Sequence, residues 1–310
     1  MNQSLPTRAR LDPPALRCPA CWHALGQTLE CGGCGAKYPT VRGVPVLVDE
    51  RESAFSVADV SRGAAVSHRS RMIRRVVPSI SSNLDTEEVY ADLKARLLRR
   101  PAARVLCIGS GDGGKGFEEL CDPAISIVFT DVAVNPLIDY AVDAHRLPFD
   151  DASFDAVVAQ AVLEHVADPV LCVAEIHRVL RSDGLIFAET PFMQQVHLGR
   201  YDFTRFTHLG HRRLFRMFTE VRSGQVSSTG SALAWSLTYF LASLGSSRRQ
   251  RQVLYSIGRC SFFWLRYLDR WTSQNPGSWD AAGSFYFLGT RAAEPVRDRE
   301  IVAGYRGAQG

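Results

Sequence analysis

The sequence predicts an α/β fold, an open and mostly parallel sheet with helices on both faces, preceded by a small cysteine-rich unit. Three observations predict it. From Arg104 onward, apolar strand-like runs alternate with helical patterns, as in a parallel sheet covered on both sides. The first of these runs enters a glycine-dense turn, VLCIGSGDGG at 105–114. Ahead of it, Cys18, Cys21, Cys31 and Cys34 crowd into one short stretch.

The totals are consistent with this. A chain of 310 residues, 46% apolar with 16 Phe and 5 Trp, can bury one large core and carry a small extra unit. A net charge of +4 does not by itself imply nucleic acid, which usually needs a concentrated basic patch. The opening MNQSLPTRARLDPP lacks the apolar core of a signal peptide. The longest apolar stretch, Ala232 to Leu244, is too short and too polar to span a bilayer. The expectation is a soluble, cytoplasmic protein. The scattered Cys107, Cys121, Cys172 and Cys260 then read as small packing residues in a reducing compartment. Nothing in the pattern sets an oligomeric state.

The elements follow in order. Residues 1–16 read as a loose tail, and 17–49 as the cysteine unit, closing on the strand-like VPVLVDE. Residues 50–85, rich in Ser, Arg and Ala, read as a linker with one short helix. Thr86 to Arg99 is a helical pattern with Val89, Leu93, Leu97 and Leu98 on one face, ended by Pro101. RVLCI is a strand, GGKGFEEL opens a helix, and AISIVFT, DYAV and FDAVVA are further strands. Asp168-Pro169 caps a helix with an apolar face of Val170, Val173, Ile176, Val179 and Leu180, stopped by Gly184. LIFAE is a fifth strand, and SFYFLGT at 284–290 a late one that completes the sheet. The main domain covers 86–292, with a helical insertion at about 230–280, and 293–310 reads as a tail.

A strand, a glycine turn and a helix start form a cofactor cradle in an open parallel sheet. Lys115 is followed by Gly116, so the phosphate loop with its Gly-Lys-Ser/Thr is absent. Asp131 ends the second strand 20 residues after Gly111, where a carboxylate can accept both ribose hydroxyls. Asp143 ends the third strand, where a carboxylate can accept from an adenine amino group. Each Asp alone could equally be a strand-end turn residue.

VLCIGSGDGG, FTDV and VDAHRLPFDDASFDAVVAQAVLEHVADP together resemble the class I methyltransferases that use S-adenosylmethionine, within the small-molecule branch with the "LEHV" signature. The resemblance is strong over about 100–215 and weak over 284–290. It implies a Rossmann-like sheet of seven strands. It implies that Gly109, Ser110, Gly111 and Gly113 face the methionine and ribose, that Asp131 and Val132 hold the ribose, that Asp143 and Ala144 hold the adenine, and that Ala161 and Val162 line the cofactor. One departure stands out: Cys107 sits where the family often has an acid, so the methionine amine must find partners elsewhere.

CPAC and CGGC, nine residues apart, offer four thiolates for a structural zinc ion (Zn2+) bound by Cys18, Cys21, Cys31 and Cys34. Two disulfides or free thiols are the alternatives. Residues 17–49 hold too little apolar surface to fold alone, and zinc would supply the missing stability. CPACWHAL…ECGGCGAKYPTVRGVPVLV also resembles the small zinc-ribbon proteins that activate tRNA and protein methyltransferases, here fused in cis. That resemblance implies a docking or substrate-presenting role.

Glu164 and His165 follow the fourth strand at the carboxyl edge, where ligands bind. His165 is a candidate general base, although a histidine that only lines the pocket is the favoured reading. The segment 191–215 gathers His197, His208 and His211 with Tyr201, Asp202, Arg205 and four phenylalanines. It resembles a "D-[FY]-x-R-[FY]-T" stretch of methyltransferases associated with polysaccharide and glycolipid clusters. Asp202 and Arg205, three apart, could pair and order a lid over the acceptor, or form an ordinary surface salt bridge. A metal site built from these histidines is poorly specified. Residues 231–270 carry Trp, Tyr and Phe around the basic SSRRQRQ; core packing is the blander reading, and contact with a membrane surface or lipid-linked acceptor the sharper one.

The expected activity is methyl transfer to a hydroxyl of a sugar, a glycolipid or another small molecule. An rRNA or tRNA methyltransferase docking through the zinc unit ranks second: HRSRMIRR at 68–75 offers a basic strip but no stacking platform accompanies it. The Asn/Asp-Pro-Pro-aromatic tetrapeptide of amino-directed enzymes is missing too. A non-catalytic cofactor-binding scaffold ranks third.

Overall fold

The computed structural model describes residues 13–62, 77–111 and 116–309. Most of the N-terminal tail, the basic strip at 68–75 and Gly113 lie outside the described residues.

The strands are β1 Leu16–Arg17, β2 Ala24–Leu25, β3 Thr40–Val41, β4 Val44–Leu47, β5 Ala103–Ile108, β6 Ile125–Asp131, β7 Tyr140–Val142, β8 Phe154–Gln160, β9 Leu180–Pro191, β10 Phe218–Ser227 and β11 Ser284–Arg291. Among the described residues, nine of them form one sheet in the order β10-β11-β9-β8-β5-β6-β7-β4-β3. The seven strands from β10 to β7 are the sheet expected of a class I methyltransferase. β11 runs antiparallel to both β9 and β10, and the strands from β9 to β7 run parallel. The other two strands come from the cysteine unit. β4 lies parallel to β7, pairing Val46 with Ala141 and Leu47 with Val142. The cysteine unit is therefore built into the sheet.

Alternation along β5 feeds two cores. Leu106 and Ile108 face the helix Pro169–Val179 and the cysteine unit, whereas Val105 and Cys107 face the helix Thr86–Leu97. Val89, Leu93 and Leu97 of the latter helix are fully buried, but Leu98, which keeps helical dihedrals and lies on the opposite side from Val89, is exposed. Burying three such side chains contributes roughly 1.5–3 kcal/mol each. That outweighs the cost, about 1–2 kcal/mol, of holding Asp85 left-handed at the N-cap.

Several expectations need correction. The helix after Asp168 is capped as foreseen, the carboxylate accepting from the Leu171 amide at 3.0 Å. Its buried face is Cys172, Val173, Ile176 and Val179, while Val170 is exposed. Gly184 does not end it: extended backbone begins at Leu180, and Gly184 lies in β9 beside a bulge. Among the described residues after the glycine turn, Phe117–Leu120 form a 3-10 turn in place of the expected α-helix. Pro123 disfavours helical backbone at Asp122 and stops the helix from continuing. The expected C-terminal tail contains the helix Asp298–Ala303, which buries Ile301, and Tyr305 donates to Asp280. The insertion holds the helices Thr229–Ser243 and Arg248–Phe262, the second closed by a Ser247–Gln250 capping box. No helix among the described residues is long and apolar enough to cross a membrane.

Candidate active site

The glycine turn at the end of β5 is tied to the end of β6. Gly109 has φ +65°, and a Cβ there would lie 2.4 Å from Val162 Cγ2, so only glycine fits against the chain leaving β8. Ser110 donates its hydroxyl to the Thr130 carbonyl at 2.9 Å. The Gly111 amide donates to Asp131 Oδ2 at 2.8 Å, and the Ala133 amide to Oδ1 at 2.9 Å. Asp131 is thus oriented by backbone donors from both sides, with Val132 next to it. Ala161, at the end of β8, holds φ +54°, and its amide bonds to the Glu189 carbonyl. Cys107 lies beneath the turn, where burial pushes its thiol up to about 12. A neutral thiol cannot pair with an ammonium group.

Asp143 ends β7 as expected, but with partners from an unforeseen direction. His145 donates its backbone amide at 3.0 Å and places Nδ1 2.5 Å away, and Ser53 donates its hydroxyl at 2.5 Å. Burial works against the carboxylate, but these bonds outweigh it and hold it below the usual range, while Asp143 raises His145. Ala144 is buried beside them. A cavity of about 270 Å³ opens here, lined among others by Pro19, Leu47, Ser53, Asp143, His145 and Leu171. The segment read as a linker therefore forms a wall of this cavity.

A second cavity of about 280 Å³ lies at the carboxyl ends of β8 and β9. Gln160, Ala161, Glu164, Glu189, Thr190, Gln194 and His197 line it, with Ser81, Ser82, Asn83, Ser227 and Ser284 on other walls. Glu189 accepts from Thr86 Oγ1 at 2.9 Å and Gln160 Nε2 at 2.8 Å. The 81–83 wall is fixed by Asp269, fully buried at the start of a short helix. It accepts from Ser82 and from the Ser228 and Ser231 amides, both at 3.0 Å. Sequence reasoning missed Ser82, Glu189 and Asp269. Only Glu189 carried a signal, as an acid at a strand end on the ligand edge.

Glu164 and His165 lie beside this cavity. Glu164 is fully buried, and neither carboxyl oxygen has a hydrogen-bond partner among the described residues. Burial pushes it up to about 8. His165 sets Nδ1 2.9 Å from the Tyr201 carbonyl, and burial with the neighbouring His197 lowers it. Asp202 and Arg205 do pair, as a two-pronged fork, and Arg205 also donates to the Gln194 and Gln195 carbonyls. Burial opposes the Asp202 charge, but Arg205 and the His197 amide outweigh it and hold it at about 2. The pair therefore folds 194–205 over the cavity edge instead of bridging a solvated surface. His208 and His211 turn away into an aromatic cluster with Trp279, Phe285, Phe206 and Phe215. Only His197 of the three histidines reaches the site.

The four cysteines converge. Cys18 and Cys34 sulfurs lie 3.7 Å apart, Cys21 and Cys31 sulfurs 3.4 Å, and all four fall within 4.8 Å of one another. A tetrahedron with zinc–sulfur bonds of about 2.3 Å has edges of about 3.8 Å, so the donor set fits zinc. The unit leans on the sheet domain through Trp22, whose ring lies 4.7 Å from the Arg178 guanidinium. Arg146 also donates to the Pro19 carbonyl at 2.8 Å.

The sheet order is that of the Rossmann-like methyltransferase fold, with a glycine turn after β5 and acids at the ends of β6 and β7. Residues 106–188 match the family described as a methyltransferase domain. The demethylmenaquinone methyltransferase of Beutenbergia cavernae is 35% identical over 101 residues, 29% of this chain and 42% of that protein. A protein of transposon Tn4556 from Streptomyces fradiae is 45% identical over 49 residues, 16% of this chain and 14% of that one. The chain thus spans less than half the length of these curated relatives. A coclaurine N-methyltransferase structure, bound to N-methylheliamine and S-adenosylhomocysteine, aligns with TM-score 0.45 at 12% identity, over 71% of this chain and 78% of that one.

Proposed function

We propose that the chain transfers a methyl group from S-adenosylmethionine to a hydroxyl of a small, sugar or lipid-linked sugar acceptor. The observation that carries this is the bond from the Gly111 amide to Asp131, which joins the glycine turn to a strand-end carboxylate. Gly109, Ser110 and Gly111 would approach the methionine and ribose, Asp131 and Val132 the ribose, and Asp143 with Ala144 the adenine. Ser53 and His145 would position Asp143 for that contact. When bound, the cofactor supplies a methyl group on a sulfonium, ready for in-line displacement. Ala161, which lines the second cavity, and Val162 would hold it, and the polar side chains of that cavity would orient the acceptor. His165 is placed to position groups of the cavity wall, with its Nδ1 engaged by Tyr201. Asp202 and Arg205 order the covering segment.

The lipid-linked class is favoured by the insertion, where Phe240, Leu244, Trp264, Tyr267 and Trp271 are all more than half exposed. Such side chains beside Arg248, Arg249 and Arg251 suit a membrane surface. Cys18, Cys21, Cys31 and Cys34 would hold a structural zinc ion, with the Tyr38 hydroxyl 3.1 Å from Cys18 Sγ as an outer partner.

The test is incubation with methyl-labelled S-adenosylmethionine and a lysate divided into RNA, protein, lipid-glycan and small-molecule pools. Label in the lipid-glycan or small-molecule pool is the expected result. Label confined to RNA would replace this reading with the nucleic-acid one. No label, with cofactor binding intact, would favour a scaffold.

A further inference from the structure

The Glu164 carboxylate presents an unusual combination. It is fully buried, it lines the second cavity, and both oxygens lack hydrogen-bond partners among the described residues. An unpaired polar group in such a place costs about 1–3 kcal/mol, so its retention calls for a ligand. Two imidazoles face it. His165 Nε2 lies 3.6 Å and His197 Nε2 3.8 Å from Glu164 Oε1.

The far side of each ring settles which nitrogen faces inward. His165 Nδ1 is 2.9 Å from the Tyr201 carbonyl, which can only accept. His197 Nδ1 is 3.3 Å from the Gln195 carbonyl and 3.6 Å from Asp202 Oδ2. Both Nδ1 atoms face acceptors and carry a proton, so in the neutral rings both Nε2 atoms point lone pairs towards Glu164. Imidazoles held through Nδ1–H to a carbonyl or carboxylate, with Nε2 directed at a shared centre, are the outer support of metal-binding histidines. In turn, Asp202 is locked by Arg205.

We propose that Glu164, His165 and His197 form a binding site for a divalent transition-metal ion, distinct from the four-cysteine unit and open to the acceptor cavity. The donor atoms lie within 4.8 Å of one another. Two ligands at about 2.1 Å can lie at most about 4.2 Å apart across one ion, so the rings close by a few tenths of an ångström on binding. Two imidazoles and one carboxylate leave coordination positions open, as in catalytic sites. Those positions suit an acceptor carrying two neighbouring oxygens, such as a vicinal diol of a sugar. This role rests on the methyltransferase reading; metal binding itself does not. In the reaction, the coordinated hydroxyl loses its proton to water. Its oxygen pair then forms the bond to the methyl carbon. The carbon–sulfur bond breaks with its electrons passing to sulfur, leaving a neutral thioether.

The experiment takes the full chain with its cysteine unit loaded with zinc and titrates it with Mn2+ alone, reading the free-ion paramagnetic resonance signal. Mn2+ prefers nitrogen and oxygen donors and does not compete for the thiolates. One site per chain is expected, with nitrogen couplings from two imidazoles in the pulsed spectrum. Affinity should fall at least tenfold in Glu164→Gln and in His197→Gln, and stay unchanged in His177→Gln, a histidine outside the cluster. Gln at 164 is isosteric and position 197 is partly exposed, so both variants should fold, which circular dichroism checks. No Mn2+ binding by folded protein, or equal binding by the Glu164→Gln/His197→Gln double variant, would overturn the site. Binding of S-adenosylhomocysteine is measured on the same samples. Its absence alongside intact Mn2+ binding would sink the methyltransferase reading and support the metal site.

Discussion

The Gly111 amide donates to Asp131 Oδ2 at 2.8 Å, joining the turn after one strand to the end of the next. Ala133 holds the other oxygen at 2.9 Å, so the carboxylate is fixed before any ligand arrives. The order of the glycine turn and of the chain after β6 then depends on one side chain.

Asp131→Ala removes an acceptor shared by two backbone amides and by the proposed ribose. A hydrogen bond to a charged group contributes about 1.5–3 kcal/mol. S-adenosylhomocysteine binding, followed by calorimetry, should weaken at least about 30-fold, with the far-ultraviolet spectrum unchanged. Unaltered affinity would remove Asp131 from the cofactor site.

Gly109→Ala faces two penalties, a left-handed backbone and a Cβ 2.4 Å from Val162. Together they should cost on the order of 2–4 kcal/mol in denaturant unfolding. Adding Val162→Ala should recover the clash portion and leave the backbone portion. A double variant no more stable than Gly109→Ala would show that Val162 is not the obstacle.

His208 and His211 are held neutral in an aromatic cluster, burial lowering them to about 4 and about 3. Unfolded, each titrates near pH 6.5, so the unfolded chain binds more protons between that pH and the folded values. Stability should therefore fall as pH drops below about 6.5, by about 1.4 kcal/mol per unit for each histidine once well below it. His211→Leu should remove one such contribution and relieve the unpartnered Nε2. Urea midpoints at pH 7 and pH 5 check this; equal pH slopes for wild type and variant would contradict it.

Arg205→Leu leaves Asp202, whose side chain is 1% exposed, without its main partner. Breaking such a pair costs about 3–5 kcal/mol. Arg205→Lys should recover only part, since an ammonium cannot reproduce the fork. Thermal unfolding of the three proteins should rank wild type, Lys, Leu, and any other order would place the stability of this segment elsewhere.

Stripping metal from the cysteine unit, or Cys31→Ser, should lower the unfolding temperature of the whole chain in a single transition. β4 is hydrogen-bonded into the main sheet, and Cys18, Cys31 and Tyr38 belong to the same core as Phe154 and Ile186. A separate early transition, with the rest of the chain unaffected, would contradict that coupling.

The strands β5, β6, β7, β8 and β9 were legible because buried parallel strands read as continuous apolar runs. The Asp168 cap was legible from two residues. β10 was not: FTEVRSGQVS mixes charged and small residues, and its partner β11 lies nearly 60 residues on. For the candidate site, Gly109, Asp131 and Asp143 were singled out from spacing along one chain segment. Ser82 and Asp269 were not, because the cavity wall they build joins segments that no local pattern connects. His208 and His211 were overread, since a histidine beside phenylalanines looks the same in sequence whether it faces a cavity or a core.

The cysteine unit also decides where the sheet ends. Without β4, the margin would be β7, whose apolar Ala141 and Val142 would present unpaired amides and carbonyls to any passing extended chain. Instead the outermost strand on that side is Thr40–Val41, two residues long. A margin so short gives another polypeptide almost no ladder to extend. Residues 17–49 thereby replace a buried apolar strand with a two-residue one at this margin of the sheet.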